Sequence, residues 1–270
     1  MTFTPPIRRR NSGKGHRYED ANGLRIPGVT TILKALPKDA LINWAANATA
    51  EAAINRWDEL AAMPPAARLK ALQNARYADR DTAGNRGTQV HGLAERLVRG
   101  EAVDVPADVE GHVRSYVQFL DDFHVEPILI EGVVMSHRHG YAGTLDLVCD
   151  LPALGDDRWL LDLKTSRSGV FGETALQLAG YRYADTYVDE IGAEQPMIPV
   201  NRCGAVHIRA DGYDLIPVQA GRDEHRWLLY AQQIAGFVEN ARDLIGEPIR
   251  PPSASHRIRL VREGATSDAA

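Results

Sequence analysis

Three ionisable residues stand inside runs that are otherwise apolar. Asp146 lies in Gly140-Tyr-Ala-Gly-Thr-Leu-Asp-Leu-Val-Cys-Asp150, and Asp162 and Lys164 lie in Arg158-Trp-Leu-Leu-Asp-Leu-Lys-Thr165. Both runs have the near-continuous hydrophobicity of strands covered on both faces. Leu154-Gly-Asp-Asp157 between them has turn chemistry, so the two runs read as one hairpin. Side chains alternate along a strand, which puts Asp162 and Lys164 on one face. A buried carboxylate is costly unless it is paired or binds a metal. Two carboxylates facing each other across a hairpin repel and raise each other's pKa unless a cation joins them. A divalent metal site with a lysine beside it is the chemistry this pattern favours. The lysine carries weight because lysine is scarce: only Lys14, Lys34, Lys38, Lys70 and Lys164 occur among 31 basic residues. Its compact ammonium is tunable in a way that a guanidinium is not.

Two further elements complete a pattern. Gly87-Thr-Gln-Val-His-Gly-Leu-Ala-Glu95 precedes the hairpin, and Gln177-Leu-Ala-Gly-Tyr181 follows it. Together with Gly143-Thr-Leu-Asp146 and Asp162-Leu-Lys164, this order resembles the PD-(D/E)XK nuclease superfamily. Within it the nearest likeness is the RecB-type exonuclease branch, phage or bacterial, which also includes CRISPR-associated and phage recombination nucleases. The likeness spans roughly residues 84–185. It implies an α/β fold: a restriction-endonuclease-like core with a mixed central β-sheet flanked by helices, here with an N-terminal helical extension. The implied activity is a metal-dependent DNA exonuclease hydrolysing phosphodiester bonds in recombination, repair or phage DNA metabolism. A structure-specific endonuclease and a non-cleaving DNA-binding recombination accessory module are the alternatives.

The resemblance also implies roles for residues. Two Mg²⁺ or Mn²⁺ ions, hard cations that favour oxygen donors, would be anchored or bridged by Asp146. Asp162 would ligate one or both, the Leu163 carbonyl would add a ligand, and His91 would complete the second site. Lys164 would orient or deprotonate the attacking water, or steady developing negative charge. Gln177 and Tyr181, four apart on one helix face, would face the site. Glu95 shares a helix face with His91 and either orients it or is a solvated carboxylate. Glu131, in an apolar run, either reaches the metals or an arginine or is an edge carboxylate. Related nucleases with an iron–sulfur cluster need four thiolates; this chain has two cysteines, Cys149 and Cys203, read as buried thiols, so no cluster is expected. No Gly-x-x-x-x-Gly-Lys loop occurs for a small phosphate ester.

Composition sets looser bounds. With 44% hydrophobic and 25% charged residues, the chain has the make-up of a soluble globular protein. No apolar run approaches the ~20 residues of a membrane helix, and the N-terminal residues lack the apolar core of a signal peptide. The expectation is an intracellular, cytoplasmic protein (host cytoplasm if phage-encoded) with DNA, and a recombination or replication protein, as partners. The net charge of −5 runs against a polyanion partner. Its distribution runs the other way: residues 1–17 hold Arg8, Arg9, Arg10, Lys14 and Arg17 without an acid, and residues 250–262 hold Arg250, Arg257, Arg259 and Arg262 without one. These ends read equally as basic arms on DNA or as solvated tails.

The supporting elements follow. Residues 1–23 read as a basic flexible arm and 24–78 as a helical extension packed on the core. The nuclease core is expected over 79–247, and a basic then polar flexible tail over 248–270. Helices are expected over 26–36, 39–63 (Asp39 as N-cap, Trp44 as core anchor), 66–77, 79–99, 107–123, 173–188 and 222–246. The last would bury Trp227, Leu228, Ile234 and Phe237. One strand is expected over 126–135, with Ser136-His-Arg-His-Gly140 as the turn into the central strand. Asp211-Gly212 marks a hairpin of 203–210 with 213–220, whose second strand Pro217 sends to an edge.

Overall fold

A computed structural model describes residues 7–12 and 15–249; the expected basic tail from Arg250 onward and Lys14 lie outside the described residues. Three antiparallel strands open the fold: β1 (Ile7–Ser12), β2 (Gly15–Asp20) and β3 (Arg25–Ile26). Residues 7–12 and 15–20 are thus strand where a loose arm was expected. The reason is a sparse apolar face. Ile7, Tyr18 and Ile26 are buried together against Met135 and Ala142, and three such residues spread over a span of twenty give little periodic signal.

Short α1 (Val29–Ile32) leads to α2 (Asp39–Asn55) and α3 (Trp57–Ala62). The expected long helix over 39–63 is broken at Arg56, its cap is Lys38 rather than Asp39, and Trp44 is only half-buried. Pro65 then starts α4 (Pro65–Val98), one helix of 34 residues. Two were expected, but no Gly or Pro stands between Tyr77 and Asp79 to separate them. After α5 (Glu110–Phe123) come β4 (Glu126–Ile130), β5 (Val133–Ser136), β6 (Tyr141–Thr144), β7 (Leu147–Asp150) and β8 (Arg158–Lys164). Next are α6 (Glu173–Arg182), β9 (Thr186–Val188), β10 (Glu194–Pro196), β11 (Arg202–Arg209), β12 (Gly212–Pro217) and α7 (Arg222–Asn240). The expected helix over 173–188 stops at Arg182, because Thr186-Tyr-Val188 suits a pleated surface and pairs with β5 and β10.

The larger sheet has the order β12-β11-β8-β7-β4. Its β11–β8 pair is parallel and the rest are antiparallel, so the protein is mixed α/β with a mixed five-stranded sheet. Helices cover both faces. Ala94 of α4 and Tyr116 and Phe119 of α5 pack on Leu147, Leu161, Leu163 and Val206. On the opposite face, Leu178 of α6 and Leu228 of α7 pack with Val148 and Leu160. The β7–β8 and β11–β12 hairpins form as the sequence suggests, with β12 at the edge. Cys149 and Cys203 are buried free thiols. Trp227, Ile234 and Phe237 are exposed; of the expected α7 stripe only Leu228 is buried. Among the described residues no helix is long and apolar enough to cross a membrane.

A four-stranded second sheet runs β10-β9-β5-β6. Between β4 and β7 the chain therefore changes sheets twice, from β4 to β5 and again from β6 to β7. Each of the single strands expected over 126–135 and 141–150 is two strands in two sheets. The breaks fall side by side at Glu131-Gly132 and Leu145-Asp146.

Candidate metal centre

The seam between the sheets is held by its own backbone. The Glu131 N–H donates to the Asp146 carbonyl at 2.9 Å and the Leu145 N–H to the Gly132 carbonyl at 2.9 Å. Glu131 has φ +50°, a left-handed conformation uncommon for a residue with a Cβ. The turn sends its side chain inward with that of Asp146. The β7–β8 ladder ends at the Leu147–Leu161 pair, so Leu163 has no β7 partner. Asp146 substitutes for one: its Oδ2 accepts the Leu163 N–H at 2.7 Å.

His91 arrives from α4. Its Nε2 lies 3.0 Å from the Leu163 carbonyl oxygen and its Nδ1 lies 3.8 Å from Asp146 Oδ2. Gly87, one turn earlier, explains the approach: a Cβ there would stand 3.3 Å from Thr165 Oγ1. Gly84, also on α4, has nothing near it. One potential ligand atom each from His91, Glu131 and Asp146 all lie within 4.8 Å of one another. They border a cavity of about 10 Å³ that Glu95, Tyr116 and Leu163 also line, near the smallest space that holds a single water or ion. Burial pushes the Asp146 carboxyl up to about 6; His91 opposes the rise and the Asp162 charge adds to it. Burial, then the Asp146 charge, pushes Glu131 up to about 7. Both carboxyl groups bear the cost of standing together out of water.

A second group adjoins the first along β8. Asp162 and Lys164 project from the strand face that α6 covers, as alternation requires. Lys164 Nζ lies 2.6 Å from Asp162 Oδ2 and donates to Gln177 Oε1 at 3.2 Å. Gln177 Nε2 donates to Asp162 Oδ1 at 2.8 Å and lies 3.2 Å from the Tyr181 hydroxyl. The amide thus spans cation and anion, oxygen to the lysine and nitrogen to the aspartate. Tyr181 is buried, which holds its phenol well above the usual range. Its ring lies against Gly143, where a Cβ would come within 2.3 Å; that contact accounts for the glycine three residues before Asp146. Asp162 Oδ2, although ion-paired, is buried without a hydrogen bond.

The structure thus brings His91, Asp146, Glu131 and the Leu163 carbonyl together, and separately joins Asp162, Lys164, Gln177 and Tyr181. Asp162 is not part of the trio. Glu131, expected either to reach the metals or an arginine or to be an edge carboxylate, joins the trio, and its Oε2 lies 3.5 Å from Arg9 Nη1. Glu95 lines the cavity but takes Arg99 at 3.4 Å rather than His91. Arg9 was missed, hidden in what read as a tail.

No family model matches the chain, and no curated protein matches it. Among solved structures, the crystal structure of SSO0001 is similar over 51% of this chain and 63% of its own, at 15% identity and a TM-score of 0.30. The chain spans less than two thirds of that structure, and a likeness this slight carries no argument.

Proposed function

We propose that the chain is a metal-dependent DNA exonuclease with a restriction-endonuclease-like core of the PD-(D/E)XK kind. One observation carries the reading: an imidazole and two carboxyls with raised pKa meet beside Leu163, the residue between an aspartate and a lysine. The fold supports it, since β8, which bears Asp162 and Lys164, is the central strand of a mixed sheet covered by helices on both faces.

The donor set fits Mg²⁺ or Mn²⁺. Carboxylates, a carbonyl and one imidazole suit hard or borderline divalent cations. Two carboxyls with raised pKa, and a buried Asp162 oxygen without a hydrogen bond, are groups a cation would satisfy. Asp146, Glu131, His91 and the Leu163 carbonyl would hold one ion, with Asp162 beside them available to a second. When bound, such ions supply Lewis acidity at phosphorus and an acidic water. The protein's own groups do the rest. Asp146, fixed by the Leu163 N–H, cannot swing away from the pocket. Gln177 fixes Lys164 and Asp162 relative to one another, so the ammonium stands ready for charge developing on phosphate oxygens. Tyr181, wedged on Gly143, sets where Gln177 sits.

The test is cleavage of end-labelled single- and double-stranded DNA by the purified chain in a Mg²⁺ and Mn²⁺ series, with linear and closed circular substrates compared. Exonuclease action degrades the linear form and spares the circle. Asp146→Ala, Asp162→Ala and Lys164→Ala each lower the rate by about 10²-fold or more, with circular dichroism unchanged, and chelation stops the reaction. Cleavage at wild-type rate by Asp162→Ala removes the proposal.

A further inference from the structure

The N-terminal sheet packs beside the metal pocket and presents a sorted set of arginines. Directly opposed residues on antiparallel strands share a face. The register pairs Arg9 with Tyr18, Arg8 with Glu19, Arg10 with Arg17 and Glu19 with Arg25. Tyr18 and Ile7 are buried against Met135 and Ala142, and Tyr18 lies 2.8 Å from the hydroxyl of Thr144, two residues before Asp146. That is the inner face, and Arg9 belongs to it. Its guanidinium reaches Glu131, one carboxylate from the candidate metal position.

Arg8, Arg10, Arg17 and Arg25 fall on the outer face with Glu19. Arg10 and Arg17 both contact that one glutamate, at 3.4 and 2.9 Å, and Arg25 reaches Glu239 at 3.7 Å. Exposed ion pairs of this kind are each worth only ~0–1 kcal/mol, so a phosphate can displace them at little cost. A chain of net charge −5 that gathers four arginines and one acid on one small sheet face has placed its cations selectively.

We infer that the outer face of the β1–β3 sheet is the docking surface for the nucleic-acid phosphate backbone, and that Arg9 on the inner face contacts the phosphate nearest the metals. This rests on the nuclease reading and adds how the substrate is held. Arg8, Arg10 and Arg17 position the strand without reading sequence. Arg9 leaves Glu131 for the incoming phosphate once Glu131 is committed to a cation.

The experiment measures binding of a labelled DNA duplex by fluorescence anisotropy in Ca²⁺, to hold the complex short of cleavage, across a KCl series. Mn²⁺ binding by calorimetry and cleavage in Mn²⁺ are measured on the same preparations. Expected for Arg8→Gln/Arg10→Gln/Arg17→Gln is a loss of affinity of tenfold or more, with the slope of log K against log salt reduced by about 2–3. Mn²⁺ binding and the melting temperature hold. Arg9→Gln lowers the cleavage rate more than the affinity, and Arg9→Lys restores part of it. The charge-reversed Arg10→Glu/Arg17→Glu variant, whose side chains point away from the packed face, gives a second check that does not rely on the triple variant folding. Wild-type affinity and slope in both outer-face variants of an active enzyme overturn the docking surface and leave the nuclease reading standing. A wild-type chain that neither cleaves nor retains DNA ends both.

Discussion

The two groups of charged residues that meet at Leu163 solve the problem of burial in opposite ways. Around Asp162 the protein supplies its own answer: an ammonium at 2.6 Å and an amide that bonds to both partners. Around Asp146 it does not. Glu131 and Asp146 stand at one cavity with His91, and although Arg9 reaches Glu131 at 3.5 Å, both carboxyls are pushed up, to about 7 and about 6. The first group pairs its charge within itself, with one Asp162 oxygen left without a hydrogen bond, whereas the second holds two carboxyls with raised pKa. On the proposed reading, that contrast gives the Asp162 side a positioning task and the Asp146 side cation binding.

Breaking each side separately gives the largest contrast. Lys164→Met strands a buried carboxylate and costs about 3 kcal/mol of stability, read by urea denaturation; Asp162→Asn on that background recovers a good part of the loss. Glu131→Gln, by the same measurement on metal-free protein at pH 8, is neutral or stabilising, because it removes charge from a crowded pocket. A loss from Glu131→Gln as large as that from Lys164→Met would erase the distinction.

Acidity sharpens the comparison with a somewhat smaller effect. Glu131 is raised in the folded protein to about 7 from an ordinary 4.5, so the folded state binds more protons than the unfolded state between those values. Its contribution to stability is complete below the unfolded value and is lost as pH rises through about 7. Metal-free protein in chelator is therefore more stable at pH 5.5 than at pH 8, by on the order of 2 kcal/mol from this group. Glu131→Gln flattens that part of the profile. Mn²⁺ at a fixed concentration, about a hundred times its Kd at pH 8, returns about 2.7 kcal/mol there, and less at pH 5.5, where the ligands must first lose protons. A profile for Glu131→Gln that matches wild type would show that this carboxyl is not the group responsible.

The two glycines near the site give the smallest effects, and they too divide. Gly143→Ala drives a methyl into the buried Tyr181 ring and costs about 1–3 kcal/mol. It also lowers cleavage, because Tyr181 carries Gln177. Gly87→Ala meets only the hydroxyl of Thr165 and gains helix propensity of up to ~1 kcal/mol, so thermal melting moves little in either direction. Equal shifts from the two substitutions would mean that Tyr181 yields more easily than its burial suggests.

Much of this was legible in the chain itself. Apolar runs interrupted by Asp146, Asp162 and Lys164 fixed the β7–β8 hairpin, and the two-residue spacing put the aspartate and lysine on one face because a strand alternates regardless of its surroundings. Spacing of four on a helix likewise aligned Gln177 with Tyr181. Asp211-Gly212 set the β11–β12 hairpin by turn chemistry alone. Each of these rests on local geometry, which the order of residues determines.

What the chain could not disclose depends on which elements meet. Glu131 and Asp146 converge because two neighbouring strands leave one sheet for another at the same level, and nothing local to either strand announces a change of sheet. Asp162 turns from Asp146 to Gln177 because α6 covers its face of β8. The arginines near the N-terminus look like a solvated tail until Ile7 and Tyr18 find Met135 and Ala142, residues more than a hundred positions away. Burial of that kind is a property of the packed molecule, since the partner surface that makes it favourable exists only after the rest of the chain has folded.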